Sequence, residues 1–322
     1  MSFKFYLFLI VAFILLALVA VSSGGASISL GDIVKFFTFG ELDETKQLIL
    51  LQMRLPRLVL GILIGALLAT SGVVVQSVFL NPLADPYIIG IASAATFGAV
   101  IAYLLGLSDV FYGIFAFLSA SALSIVIFKL AAHTRSISTL LIVGIAVSSF
   151  LGAFTSFAVY LIGEDSFRIT AWMMGYLGGA NWYKIALLLP PLLFCMAYFY
   201  AKRHELNIIL NGDEEAKSLG LNVEKSKKSL LIVSSLIIGF SVAFTGMIGF
   251  VGLIIPHTLR MALRTSSNAV LIPASALTGG VFLVFCDVIA KNALSPVEIP
   301  IGVVTSFFGA PFFLYLAFRK HA

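Results

Sequence analysis

Side chains able to do chemistry are sparse in this 322-residue chain, and their spacing matches no catalytic constellation. Cys195 and Cys286 both lie inside apolar runs, with no CxxC and no disulfide framework, and read as small buried hydrophobes. The histidines His133, His204, His257 and His321 form no HExxH, so a zinc protease has no support. A GxSxG nucleophile and paired mid-span aspartates are also missing from the sequence, which argues against an intramembrane enzyme. Without GxxxxGK[ST], the chain has no ATPase site of its own. No metal ligand and no resident cofactor are expected in it. What remains is a few charges in particular places. Arg54 and Arg57 are three residues apart, and so on one side of a helical turn. Asp287 and Lys291 sit at i and i+4 near the end of an apolar run, where an ionisable group is costly and usually paired. Asp213, Glu214 and Glu215 open a short helical stretch, where the helix dipole favours negative charge, and Gly220 is placed to stop it.

The elements that must position these groups follow from composition. Apolar residues make up 60% of the chain and charged residues 11%, against roughly 25% charged in a soluble domain. Too little polar surface exists to face water, whereas a bilayer core would be a fitting solvent. Backbone polar groups in lipid must be satisfied internally, and the long continuous apolar runs favour helices over barrel strands. The expected fold is all-α and polytopic, a single transmembrane domain over residues 1–322 with about ten spans. These run near Phe5 to Val21, Leu58 to Phe79, Tyr87 to Leu105, Phe111 to Leu130, Leu140 to Ile162, Ile185 to Tyr200, Leu230 to Phe244, Phe250 to Leu263, Val270 to Ile289 and Ile301 to Phe318. The sixth and eighth are short and read as tilted, broken or partly extramembrane. The first resembles a signal peptide in its small residues Ser22 to Gly25, but its apolar stretch is long for one, and an uncleaved span is favoured.

With the N-terminus placed in the cytoplasm, 13 Lys and Arg residues fall inside and 7 outside, which accounts for all 20. Both termini are then cytoplasmic, in a multi-pass membrane protein. Basic residues scattered over short loops fit this and not nucleic acid. Outside, Ser22 to Met53 is the longest stretch. Ile33, Phe36, Phe37 and Phe39 there could form an amphipathic helix at the lipid surface or belong to an ordinary loop. Gly61 and Gly65 form a GxxxG continued by Ala66, Ala69 and Gly72, read as close packing within the chain. Lys202 to Lys228 reads as a long, charged cytoplasmic loop carrying the short helix, which is too short to stand alone and should dock on something.

Several segments together resemble one family. Arg54-Leu-Pro-Arg57, Gly65 to Gln76, Asn81-Pro-Leu-Ala-Asp-Pro86, Trp172-Met-Met-Gly175, Glu215-Ala-x-x-x-Gly220, Thr245 to His257 with Arg260, Glu298 to Val304, and Gly309-Ala-Pro311 are similar, in order, to the FecCD-type permeases of ABC importers. That family carries vitamin B12, iron-siderophores and haem. The resemblance implies a type II importer fold and four kinds of contact. A second permease copy would complete the membrane core as a homodimer. Two ABC ATPase subunits would bind ATP and Mg below. A periplasmic or lipid-anchored substrate-binding protein would dock above, and membrane lipid would surround the whole. The cargo implied is a metal chelate, with a ferric siderophore favoured and haem or cobalamin as alternatives.

The resemblance also assigns roles. Arg54, Arg57 and Lys291 would meet carboxylates of the binding protein; the alternative is anchoring to lipid headgroups. Lys291 stands where relatives often carry Arg, and so lacks the bidentate fork. Glu215, Ala216 and Gly220, within a segment at about 205–224, would couple the chain to the ATPase. Asn81, Leu83, Ser138 and Thr139 would belong to an inner gate. Ser148, Ser149, Thr155 and Ser156 give span five a polar, uncharged lining suited to a pathway, unless each hydroxyl bonds back to its own helix. For Asp287 and Lys291, structural pairing is expected over proton relay. An ion-driven secondary transporter is the alternative of another class, but it would usually place carboxylates within the spans, and these are nearly absent.

Overall fold

The computed structural model describes residues 2–24, 28–40, 42–134 and 137–319. Glu41 and Arg135 lie outside these, as do Lys320 and His321. Every regular element among the described residues is a helix. The order is α1 (Ser2–Ser22), α2 (Leu30–Phe39), α3 (Glu44–Ile49), α4 (Leu55–Val78), α5 (Ile91–Leu104), α6 (Asp109–Thr134), α7 (Ile137–Ile162), α8 (Phe167–Met173), α9 (Trp182–Ala201), α10 (Arg203–Ile209), α11 (Asp213–Ser218), α12 (Val223–Thr245), α13 (Val251–Leu263), α14 (Asn268–Asn292) and α15 (Ile301–Arg319).

Each expected span falls on one of these helices. Among the described residues seven segments are long and apolar enough to cross a bilayer alone, and shorter apolar segments lie in α5, α13 and α15. The sixth span is not short, because α9 has 20 residues and so reaches about 30 Å. The short ones are α5, with 14 residues after a 3-10 turn at Pro86–Ile89, and α13, with 13.

Helix α4 is the axis of the bundle. From Ile64 to Val78 every residue is buried, with α14, α13, α12 and α9 packed around it. Its small residues permit this. A Cβ on Gly65 would lie 2.2 Å from the Gly279 carbonyl oxygen of α14, and one on Gly72 would lie 1.9 Å from that of Gly252 in α13. The GxxxG stripe therefore serves helix packing within the chain. Two of its buried hydroxyls bond back to their own helix, as Thr70 Oγ1 donates to the Ala66 carbonyl at 2.8 Å and Ser77 Oγ to that of Val73 at 2.8 Å, while Ser71 Oγ pairs with Ser234 Oγ of α12 and Ser77 Oγ also reaches Asn268 Oδ1 of α14 at 3.3 Å.

Three stretches leave helical geometry and satisfy one another. Tyr176 N donates to Thr245 O at 2.7 Å, Ile301 N to Gly175 O at 3.1 Å, and Gly302 N to Met174 O at 3.1 Å. Irregular backbone at membrane depth persists only where protein supplies such partners. Gly246 is required here: its φ is +68°, and a Cβ would lie 1.9 Å from the Trp172 carbonyl oxygen.

The segment before α4 is more ordered than a loop. Ser29 and Asp32 form a capping box at the start of α2. Ile33 is buried, while Leu30, Val34, Phe37 and Phe39 face outward, as an interfacial helix would present them. The expected loop from Lys202 to Lys228 is corrected in the structure. Helices α10 and α11 occupy much of it, and Lys225, Lys227 and Lys228 already lie within α12.

Candidate functional site

Two polar assemblies sit at opposite ends of the antiparallel pair α4 and α14. At one end Arg57, Asp287, Lys291 and Glu298 gather from α4, α14 and the loop after it. Arg57 Nε donates to Asp287 Oδ1 at 3.0 Å and to Oδ2 at 3.2 Å, and Nη2 donates to Oδ1 at 2.9 Å. Its Nη1 donates to both Glu298 oxygens at 3.0 Å. Lys291 Nζ lies 3.1 Å from Asp287 Oδ2, and the Tyr176 ring lies beneath the guanidinium, 5.9 Å from its carbon to the ring centroid. The expected pairing of Asp287 with Lys291 is present, and Arg57 and Glu298 extend it. The two cations and two carboxylates sum to zero, which is what burial of charge demands.

Arg54 and Lys291 also serve the end of α1. Arg54 Nη1 donates to the carbonyls of Val21 at 2.5 Å and Ser22 at 2.9 Å, and Lys291 Nζ to that of Ala20 at 3.2 Å. The last carbonyls of a helix lack intrahelical donors and form the negative end of its dipole. Two buried cations from neighbouring helices cap that end. Of the three cations expected to dock a binding protein, the structure brings Arg57 and Lys291 to one cluster. Arg54 points to α1, from a single π-helical turn at Leu50–Arg54 that runs into α4. The signal for this in sequence was Asp287, a carboxylate at membrane depth that needed counter-ions. Nothing local pointed to Glu298 or to the carbonyls of α1.

At the other end, α10 and α11 are tied to the bundle by polar contacts. Lys227 Nζ of α12 meets Asp213 Oδ1 of α11 at 2.5 Å, and Ser226 Oγ donates to Glu205 Oε2 of α10 at 2.5 Å. Asn207 Oδ1 accepts from both the backbone N and Nδ2 of Asn268, at 2.8 and 2.9 Å, which ties α10 to α14. The short helix therefore docks on its own chain. Ala216 is fully buried, whereas Glu215, Leu219 and Gly220 face outward. Gly220 holds a φ of +83° and its N–H donates to the Lys217 carbonyl at 2.9 Å, which ends the turn. Glu205 is partly buried, and burial raises its pKa. The hydrogen bonds from Lys202 and Ser226 outweigh that and hold it below the usual range.

A cavity of about 1040 Å³ lies beside α15, lined by Leu83, Asp85, Tyr87, Met174, Met247, Phe250, Val303, Ser306 and Phe307 among others. Its walls are mostly apolar side chains. Of the expected pathway residues, Leu83 reaches it. Asn81 instead borders a smaller space of about 350 Å³ with Gln76, Asn211, Gly212 and Arg260. Ser149 and Thr155 donate back to the carbonyls of Ile145 and Leu151, at 3.0 and 2.8 Å, the alternative weighed for span five. Ser148 packs against Gly90, and Ser156 is exposed. The side chains of Ser138 and Thr139 lie outside those described.

This architecture has close counterparts. The 322 residues share 43% identity over 280 positions with the cobalamin import system permease protein BtuC of Halobacterium salinarum, covering 85% of this chain and 74% of that one. Identity is 36% over 327 positions with the hemin transport system permease protein HmuU of Yersinia pestis, covering 97% and 95%. A solved metal-chelate type ABC transporter in an inward-facing conformation superposes with a TM-score of 0.87 at 30% identity, covering 98% of this chain and 99% of that one. With the FecCD transport family matched over residues 9–319, and with relatives this similar along most of its length, the chain is a multi-pass membrane protein that belongs to the FecCD transport family.

Proposed function

We propose that this chain is the permease subunit of a binding-protein-dependent ABC importer and passes a metal chelate across the plasma membrane, driven by ATP hydrolysed on separate subunits. The observation that carries the reading is α11. It is bound to α12 through Lys227–Asp213 and the burial of Ala216, yet it turns Glu215 and Leu219 outward. A coupling element needs both properties. Rigid attachment carries motion into the spans, and an open face receives the ATPase.

The rest of the assembly follows from that assignment. The α10–α11 end faces the cytoplasm, both termini lie there, and two ATPase subunits holding ATP and Mg seat on α11. The Arg57 end then faces outward toward the binding protein, with Arg57 as the contact and Arg54 and Lys291 fixing α1 and Asp287 around it. A second copy of the permease covers the cavity beside α15, so that Leu83, Phe250 and Phe307 face a shared pathway, with Asn81, Ser138 and Thr139 toward its inner gate. The mostly apolar walls suit a bulky chelate whose metal stays caged by its carrier.

Among chelates, a corrinoid stands first, since the relative at 43% identity is a cobalamin permease; haem and ferric siderophore are the other two. The test is uptake of labelled cobalamin, haem and ferric siderophore by cells lacking the chain and by cells restored with it. The restored cells should recover one chelate class, and only with the ATPase present. Accumulation in vesicles without any nucleotide-binding subunit would refute the importer reading.

A further inference from the structure

Glu298 stands apart from the other charges around Arg57. Asp287 holds the Nε and Nη2 side of the guanidinium from a buried position, with its side chain 5% exposed and Lys291 behind it. Glu298 holds Nη1 with both oxygens at 3.0 Å, from the loop between α14 and α15, and its side chain is 34% exposed. The flanking residues Leu294 and Val297 are exposed apolar side chains on the same loop. A buried pair is strongly destabilised by loss of one partner, whereas a pair open to water is weak and exchangeable. Arg57 thus has one permanent carboxylate and one on its outer edge that water reaches.

We propose that Glu298 is an internal competitor for the binding protein. In the undocked permease its carboxylate occupies Nη1 of Arg57, and docking exchanges it for a carboxylate of the partner, while Leu294 and Val297 become covered. This rests on the docking role given above to Arg57. The exchange keeps the guanidinium paired at every stage, so no bare buried cation forms, and it sets how acidic a partner must be to dock. With Glu298 in place the four-residue cluster carries +2 − 2 = 0. With a neutral residue there it carries +2 − 1 = +1, which attracts an acidic surface from a distance.

The experiment measures binding of the purified substrate-binding protein encoded with the permease to the full importer in lipid nanodiscs, at low and high salt. Glu298→Gln should tighten binding up to about fivefold at low salt, mainly through a faster association rate, and steepen its decline with salt. Glu298→Ala should do the same, and size-exclusion profiles would establish that both variants are folded. Arg57→Gln should weaken binding. If Arg57→Gln leaves affinity unchanged, the docking role falls and the competition with it. If Arg57→Gln weakens binding but both Glu298 variants bind as the unmodified protein does, or more weakly, docking stands and the competition is overturned.

Discussion

Two alanine substitutions on one helix should have opposite signs. A Cβ on Gly72 would sit 1.9 Å from the Gly252 carbonyl oxygen, where ordinary contact begins at 3.4 Å. The backbones of α4 and α13 must therefore separate by about 3.4 − 1.9 = 1.5 Å. That movement also pulls on Gln76, whose Nε2 donates to the Gly252 carbonyl at 3.3 Å and to that of Leu253 at 3.2 Å. Overpacking of this kind costs typically about 1–3 kcal/mol and sometimes more, against a helix-propensity gain of about 1 kcal/mol for Gly→Ala. At Gly61 the nearest atoms are side-chain methyls, Val284 Cγ2 at 3.5 Å and Leu177 Cδ1 at 3.6 Å, so a new methyl makes ordinary contact. Gly61→Ala should be neutral or stabilising by up to about 1 kcal/mol, whereas Gly72→Ala, whose methyl meets backbone far inside contact distance, should fall at the upper end of that balance and be destabilising by about 2 kcal/mol or more. Thermal unfolding in detergent, followed by fluorescence-detected size exclusion, should lower the Tm of Gly72→Ala by a few degrees and leave that of Gly61→Ala level or raised. Equal shifts in the same direction would refute the claim that α4 is held by backbone-to-backbone approach at Gly72.

Other perturbations probe the two polar ends. Asp287→Asn leaves Arg57 and Lys291 buried without their shared counter-ion and should cost about 3–5 kcal/mol, read as poor accumulation and a lower Tm. Adding Lys291→Met should recover part of that loss, and an unchanged Tm in the single variant would defeat the ionic account. Gly220→Pro demands a φ near −65° where the structure has +83°, and removes the N–H bonded to Lys217. It should abolish substrate-stimulated ATP hydrolysis of the assembled importer while membrane insertion persists, and normal stimulation would count against α11 as the coupling element. Glu205 has its pKa lowered in the fold, so its stabilisation is present above the unfolded carboxylate pKa and is lost as pH falls through the folded value. Stability measured against pH should drop more steeply on the acid side for the unmodified protein than for Glu205→Gln, and parallel curves would show that the Lys202–Glu205–Ser226 contact contributes nothing.

Some of the site is legible in the sequence alone. Gly220 as the stop of a short helix, Ala216 within it and the pairing of Asp287 with Lys291 all depend on residues a turn or less apart, so spacing alone locates them. The pathway assignment on span five had no such support. Hydroxyls on a helix are equally consistent with lining a pore or bonding to their own backbone, and Ser149 and Thr155 do the latter.

The membrane-spanning, all-helical character was set by the sequence alone, because it depends on local quantities: the length of each apolar run against the thickness of a bilayer, and the shortage of charge to face water. Partnership was decided only in three dimensions. Arg57 meets Asp287 across 230 positions and Glu298 across 241, and Lys291 reaches the Ala20 carbonyl across 271. A buried charge requires a counter-charge or a set of carbonyls, but chain order does not say which one. The antiparallel packing of α4 on α14, permitted by the bare backbones of Gly65 and Gly279, brings those distant groups within hydrogen-bonding distance.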